Sequence, residues 1–301
     1  YFRALARVSY EWRTARPSPL AEIAALLREE RSVLAVVNTR RDAHRLLDEL
    51  SDPEALHLST LLCGAHRRDV LREVRRRLAA GEGCRLVATQ VIEAGVDIDF
   101  PVVFRALGPL DAIIQSAGRC NREGRLAQGR VVVFDPEGGR LPTGVYRTAT
   151  DLTSTMLGRG PLDLDDPATA TEYFRLLFNT VSTDQQDIQA LRARADFPQV
   201  AERFRMIRDD TESVVVGYGD DEIQAEVEEI TERLATGAPD GRLLLRRLQP
   251  YVVSLRTSES ERYQRSGLIQ PIVPGLGRWL GDYDQIRGLW GGDVQPEDLV
   301  V

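Results

Sequence analysis

Residues 32–39 read Ser32-Val33-Leu34-Ala35-Val36-Val37-Asn38-Thr39, five apolar positions in a row closed by an amide and a hydroxyl. A strand with one wet face alternates apolar and polar residues. A strand that is apolar at every position is buried on both faces, as in a parallel sheet covered by helices. Working outward, residues 40–50 have helical spacing and residues 57–62 are a second strand candidate. Residues 65–80 place Val70, Leu71, Val74 and Leu78 on one helical face, which Gly81 terminates. Residues 85–89, 102–107 and 131–135 are three more strand candidates, with residues 110–122 read as a helix between the last two. This alternation predicts an α/β architecture, a parallel sheet with helices on both faces.

The turn-rich PEGGRLPTG at 136–144 marks a boundary. Residues 146–200 read as mainly helical, broken by an acidic, proline-bearing loop near 161–167. From Phe204 the pattern changes to a strand-like SVVVGY (213–218), an acidic helix (221–235) stopped by Gly237, and YVVSL (251–255). The expected organisation is therefore an α/β domain over 1–145, a helical linker over 146–203 and a small α+β domain over 204–301.

Composition narrows the chemistry. The chain has 301 residues, and all 39 of its basic residues are arginine. Without lysine there is no Schiff-base enzyme and no self-sufficient phosphate-loop NTPase, since both need an ammonium on a flexible stem. Net charge is −7, with 22 arginines against 19 acids before residue 146 and 17 against 27 after it. Phosphate-facing work is thus expected in the first half. No uncharged run exceeds twelve residues, short of the roughly 20 apolar residues a membrane helix needs. Three cysteines (Cys63, Cys84, Cys120) with no C-x-x-C pair argue against a disulfide framework and for a reducing, cytoplasmic setting.

The most informative segment is Gln115-Ser116-Ala117-Gly118-Arg119-Cys120-Asn121-Arg122. On a continuous helix, Gln115, Arg119 and Arg122 share one stripe, opposite Leu110, Ile113, Ile114 and Ala117. Two guanidiniums on one face repel unless they meet an anion such as a phosphate; the structural alternative is a solvated basic face. Upstream lies TQVIEAGVDID (89–99), which begins where a strand ends, the place where open parallel sheets bind ligands. There Gly95 permits close backbone approach and Asp97 can accept a hydroxyl.

Together, TQVIEAGVDID and QSAGRCNREGR resemble motifs V and VI of superfamily two helicases, in the second RecA-like domain. The version most similar to this text is the CRISPR-associated helicase–nuclease of type I interference systems. VVNTRRDA (36–43) resembles that family's motif IV region, and LSTLLCGAHR (58–67) the strand and turn after it. FRMIRDDT (204–211), RRLQPYVVSL (246–255) and YDQIRGL (283–289) resemble its C-terminal accessory domain.

The resemblance implies a RecA-like sheet, with ATP and Mg2+ held between this domain and a first RecA-like domain. Arg119 and Arg122 would be arginine fingers, with Gln115 placing the attacking water or the γ-phosphate. Gly95 and Asp97 would line the nucleotide. Asn38, Thr39, Ser59, Thr60, Thr89 and Gln90 would contact the backbone of single-stranded DNA, a task that suits hydroxyls and amides. Implied partners are single-stranded DNA, the N-terminal half and an RNA-guided surveillance complex in antiviral defence; no membrane is implied.

The chain departs from the complete family pattern in three ways. It has no G-K-[ST] phosphate loop, no D-E-x-H motif and no histidine–aspartate nuclease cluster: its histidines are His44, His57 and His66. The transition metal of that nuclease is thus expected only in an N-terminal domain. The Tyr1-Phe2-Arg3 start fits a fragment, a processed piece or the downstream half of an interrupted gene, and the isolated chain is expected to be inactive. Two alternatives stand beside this reading. One is a DEAD-box-like RNA helicase fragment, which would normally carry arginine where Ala94 stands and histidine where Gln115 stands. The other is a non-catalytic docking module acting through residues 146–301.

Other features have plainer readings. The helix at 67–77 carries six arginines and is either a DNA rail or a solvated face. Cys63, His66, Cys84 and Cys120 lack the paired spacing of a zinc site, so no metal is expected. Trp12, Trp279 and Trp290 suit packing better than base stacking. The acidic helix near 222–232 reads as a solvated face, or else a surface for a basic protein partner.

Overall fold

The structure, a computed structural model, describes residues 7–290 except 94, 183, 185 and 205–209. The Tyr1-Phe2-Arg3 start, Ala94 and the centre of FRMIRDDT lie outside the described residues. The first layered unit runs β1 (Val8–Ser18), α1 (Leu20–Glu29), β2 (Ser32–Val36), α2 (Arg40–Leu50), β3 (Leu56–Leu58), α3 (Gly64–Ala80), β4 (Cys84–Ala88), β5 (Val102–Ala106), α4 (Leu110–Ala117) and β6 (Gly129–Pro136). Its six strands are all parallel, in the order β1-β6-β5-β2-β4-β3.

The continuous apolar run of β2 is explained by its neighbours. Leu34 and Val36 pack beneath Val70 and Val74 of α3 and Ile113 of α4. Val33, Ala35 and Val37 pack against Ile23 and Leu27 of α1 and Leu46 and Leu50 of α2. Both faces are therefore dry. Thr39 caps α2, its hydroxyl accepting from the Asp42 amide at 3.0 Å, so the strand hands over to the helix within three residues.

The expected RecA-like α/β sheet with helices on both faces is what the chain forms. Two elements of this unit were not anticipated, β1 and α1. β1 is an edge strand whose Val8, Tyr10 and Trp12 lean on the core while Glu11 and Arg13 alternate outward. A third expectation needs correction: the helix read over 110–122 ends at Ala117. Beyond it the backbone pairs with the segment that precedes β5, Phe100 N donating to Arg119 O and Asn121 N to Phe100 O, both at 2.9 Å. Asn121 then takes a left-handed turn with φ 46°. Arg119 and Arg122 therefore sit on a turn, not on a helical stripe.

Four helices follow, α5 (Val145–Leu157), α6 (Pro167–Thr180), α7 (Ile188–Ala193) and α8 (Phe197–Arg203). Met156 of α5 and Tyr173 and Leu177 of α6 bury Leu110 of α4. A second sheet then forms from β7 (Thr211–Val215), β8 (Val252–Arg256), β9 (Ile269–Val273) and β10 (Leu276–Trp279), in the order β8-β7-β10-β9. α9 (Asp221–Ala235) and α10 (Gly241–Leu248) cover one face. The other face packs Val214, Val253, Tyr263 and Trp279 against Leu61, Cys63 and Ala65 of the first unit. The acidic α9 spends Glu226 on Arg247 and Glu228 on Arg278.

The two sheets meet through specific contacts. Arg40 and Glu259, the latter on α11 (Thr257–Arg265), form a buried ion pair. A hairpin of β11 (Tyr283–Asp284) and β12 (Gly288–Leu289) sits on the turn after β3, with Leu289 N donating to Leu61 O at 2.9 Å. Gly288 has φ 80°, and a Cβ there would lie 2.4 Å from Leu61 O, so only glycine allows this approach. Trp279 is in this core and Trp290 lies 5.2 Å from His44, whereas Trp12 is half-buried at the sheet edge. No helix among the described residues is long and apolar enough to cross a membrane.

Candidate nucleotide and nucleic-acid interface

The loops at the carboxyl ends of β2, β4 and β5 carry most of the residues singled out above, because parallel strands deliver their polar ends to one edge. Asn38 follows β2. Its Nδ2 donates to Leu107 O at 2.7 Å, and its carbonyl accepts from Gln90 Nε2 at 2.8 Å. Thr89 is buried after β4, and Gln90 begins a short 3-10 turn through Ile92. Gln115, Gln90, Glu93, Asp111, Tyr146 and Arg256 line a cleft of about 440 Å3.

Arg119 and Arg122 converge on the loop that follows this turn. Arg119 donates from Nε to Ile92 O at 3.1 Å and from Nη2 to Glu93 O at 2.6 Å. Burial, and then the charge of Arg122, push its pKa down. Arg122 Nε lies 3.2 Å from Asp97 Oδ1, with 44% and 79% of the two side chains exposed. Its backbone amide donates to Asp99 Oδ1 at 2.7 Å, which fixes the turn. Gly95 is exposed with φ 70°, and the space where a Cβ would stand is open. The structure thus gathers Arg119, Arg122, Gly95 and Asp97 on one loop pair, and places Gln115 in the neighbouring cleft with Gln90.

The six residues read as DNA contacts divide by burial. Thr60 is exposed and Gln90 half-buried, but Asn38, Thr39, Ser59 and Thr89 are interior. Ser59 shares a 2.9 Å hydrogen bond with His57 Nε2, and the Thr39 hydroxyl donates to Asp42 Oδ2 at 2.8 Å. The side-chain polar groups of Asn38, Thr39 and Ser59 are engaged with protein partners, and Thr89 is buried beside them. The arginine helix α3 is also largely engaged. Arg72 pairs with Asp69, Arg76 with Glu73 and Glu82, Arg77 with Glu73 and Glu54, and Arg75 donates to Asp97 O. Cys63, Cys84 and Cys120 are buried free thiols; burial pushes Cys84 up to about 11 and Cys120 up to about 12. No group of three metal-ligating side chains occurs among the described residues.

Residues 29–125, which hold this whole loop edge except Tyr146 and Arg256, match the family model described as CRISPR-associated nuclease/helicase Cas3, C-terminal. This segment is similar to the Cas3 C-terminal family. The Cas3 nuclease/helicase of Haloferax volcanii is 37% identical over 123 residues, covering 36% of this chain and 13% of that protein. That of Methanothermobacter thermautotrophicus is 30% identical over 135 residues, covering 43% and 16%. The matches therefore span about a seventh of those Cas3 proteins. A crystal structure of T. fusca Cas3 with AMPPNP matches 91% of this chain and 39% of its own, with TM-score 0.58 and 16% identity. A CRISPR RNA-guided surveillance complex, pre-nicking, contains a chain that matches 94% of this one and 44% of its own, with TM-score 0.54 and 15% identity. Both likenesses extend the fold of the Cas3-type segment through the second sheet.

Sequence reading missed three residues of this Cas3-type edge: Arg105, Tyr146 and Arg256. Arg105 was signalled by a charge inside the apolar run VVFRA. It is fully buried, donating from Nη1 to Asn38 Oδ1 and to Ala106 O at 2.7 Å each. Its Nη2 lies 3.0 Å from Tyr146 Oη and 3.1 Å from Glu93 Oε1. Burial pushes the Glu93 carboxyl up, against the pull of Arg105. Tyr146 and Arg256 carried no local signal, because they reach the cleft from α5 and from the end of β8.

Proposed function

We propose that this chain is the second RecA-like domain, helical linker and accessory domain of an ATP-driven, single-stranded-DNA-translocating helicase–nuclease of CRISPR defence, divided at 1–145, 146–203 and 204–301. One observation carries the reading: in the segment that matches the Cas3 family, the QSAGRCNR turn closes on the Ile92–Asp97 loop and leaves Arg122 exposed. An exposed arginine–aspartate pair is worth about 0–1 kcal/mol, so Arg122 can exchange Asp97 for a phosphate at little cost. The exchange gains a charge-assisted, two-pronged bond.

In this account ATP and Mg2+ are shared with a first RecA-like domain that supplies the phosphate loop. Gly95 and Asp97 edge the nucleotide, Arg119 anchors the loop beside it, and Gln115 assists from the cleft. The isolated chain then has no ATPase or nuclease activity. Work alongside an RNA-guided surveillance complex in the cytoplasm follows from the same reading, supported by the fold match above. Any nuclease metal belongs to an N-terminal domain.

DNA contact falls to Thr60, Gln90 and the backbone of their loops, with Asn38, Thr39, Ser59 and Thr89 holding those loops from beneath. Fluorescence anisotropy with labelled oligo(dT) tests this on the chain alone. Binding should appear at low salt and weaken as salt rises, with a slope of about −0.7 per phosphate contact. Gln90→Ala should weaken it about threefold to tenfold, the scale of one lost hydrogen bond. Salt-independent binding, or no effect of Gln90→Ala, removes Gln90 from the interface.

A further inference from the structure

Arg105 is a cation fully enclosed in a β-sheet, and its contacts are spread over separate segments. One terminal nitrogen bonds the loop after β2 at Asn38. The other faces Tyr146 of α5 and Glu93 of the loop after β4. Tyr146 closes the ring by donating to Asn38 Oδ1 at 2.8 Å. Glu93 Oε1 also accepts from Ser116 Oγ of α4 at 3.2 Å, and the Glu93 carbonyl accepts from Arg119. Asn38 in turn receives Gln90 on its own carbonyl. Gly108 lets this cluster lie against the chain: a Cβ there would stand 3.1 to 3.3 Å from Tyr146 Oη, Arg105 Nη2 and Asn38 Oδ1.

A buried pair of this kind is weak evidence for stability, since well-packed apolar side chains often serve as well. Its distinguishing property is geometric. A guanidinium is a rigid planar fork, so its two nitrogens move together. If Arg119 is drawn toward a nucleotide, the Glu93 carbonyl is pulled with it. The Glu93 carboxylate then shifts one arm of the fork, and the other arm moves Asn38 and, through it, Gln90. We propose that Arg105 is a positioning residue that couples the Arg119–Arg122 turn to the loops that face DNA, with Tyr146 holding its fork in register. The proposal rests on the functional reading above and goes beyond it, since that reading gives neither residue a part.

The test uses the enzyme reconstituted from this chain and a first RecA-like domain, with ATP hydrolysis measured with and without oligo(dT) of about 30 nucleotides. The variants are Arg105→Lys, which keeps the charge and loses the fork, and Tyr146→Phe, which removes one hydroxyl. Coupling between sites typically spans 5–150-fold, so Arg105→Lys should cut the stimulation ratio by about tenfold and Tyr146→Phe by about threefold. The DNA-stimulated rate should fall by more than the DNA-free rate does, a split that loss of mere scaffolding would not give. If Arg105→Lys does not fold by thermal denaturation, Tyr146→Phe decides alone. Unchanged stimulation in the folded variants overturns the proposal, as does an equal fall in both rates. If wild type itself shows no stimulation, the functional reading fails first and the coupling with it.

Discussion

In the reconstituted enzyme, Arg122→Ala should lower DNA-stimulated ATP hydrolysis by roughly 10³-fold or more, the scale of a lost arginine finger. The expectation comes from what Arg122 is not doing in this structure. Among the described residues its guanidinium has one ion-pair partner, Asp97, on a carboxylate that is 79% exposed. Nothing in the fold depends on that pair, so the variant should melt within about 0.5 kcal/mol of wild type, as surface substitutions do. Arg119→Ala should also abolish activity, but for a mixed reason, because it removes two hydrogen bonds that hold the 92–93 backbone. Arg122→Lys should recover only part of the rate: an ammonium supplies charge without the fork. Steady-state phosphate release at saturating DNA checks all three, and full activity of Arg122→Ala would remove it from catalysis.

Acid should destabilise the chain well before its carboxylates titrate. His44, His57 and His66 are all buried where the first sheet meets the hairpin at 283–289. Burial lowers His44 to about 3, helped by Arg287 and Arg40, and lowers His57 to about 3, helped by His44. Burial also lowers His66, against the pull of Asp69 and Asp284; its Nδ1 lies 3.0 Å from Tyr283 Oη. An unfolded histidine protonates near 6.5, so between about 3 and 6.5 the unfolded chain binds more protons than the folded one. Stability is thus unaffected above pH 6.5 and falls as pH drops below it. At pH 5 the loss is about 2 kcal/mol for each of His44 and His57. Asp42 and Glu93, whose carboxyls burial pushes up, act in the opposite sense at lower pH. Glu73, held near 2 by Arg76 and Arg77, contributes only below its ordinary range. Urea midpoints at pH 7.5 and 5.0 should fall accordingly, and His44→Phe should reduce the difference. Equal midpoints at the two pH values would contradict the buried neutral histidines.

The legible parts of this fold are those governed by local periodicity. The run at 32–39 betrays a doubly covered strand, and the helices at 40–50 and 221–235 end where their patterns end. β1 was illegible because an edge strand keeps one face in contact with solvent, so Glu11 and Arg13 interrupt its apolar residues. The helix at 110–122 was overextended for a related reason: periodicity cannot see that Phe100 captures the backbone of Arg119 and Asn121. At the motif residues, burial depth was not legible in the sequence. Asn38, Thr39, Ser59 and Thr89 are polar, and polarity alone reads as surface. Asn38, Thr39 and Ser59 are interior where a strand end or helix start uses their amide or hydroxyl, and Thr89 is buried beside them. Arg105 shows the converse, a charge that belongs inside because four segments meet around it.

The central claim is that this chain is one wall of an ATP cleft. The direct test is phosphate release from ATP in the presence of single-stranded DNA, by the chain alone, by a phosphate-loop-bearing first RecA-like domain alone, and by the two combined. The account predicts no hydrolysis by either part and DNA-stimulated hydrolysis by the pair. Hydrolysis by this chain alone, or none by a folded pair, would contradict it.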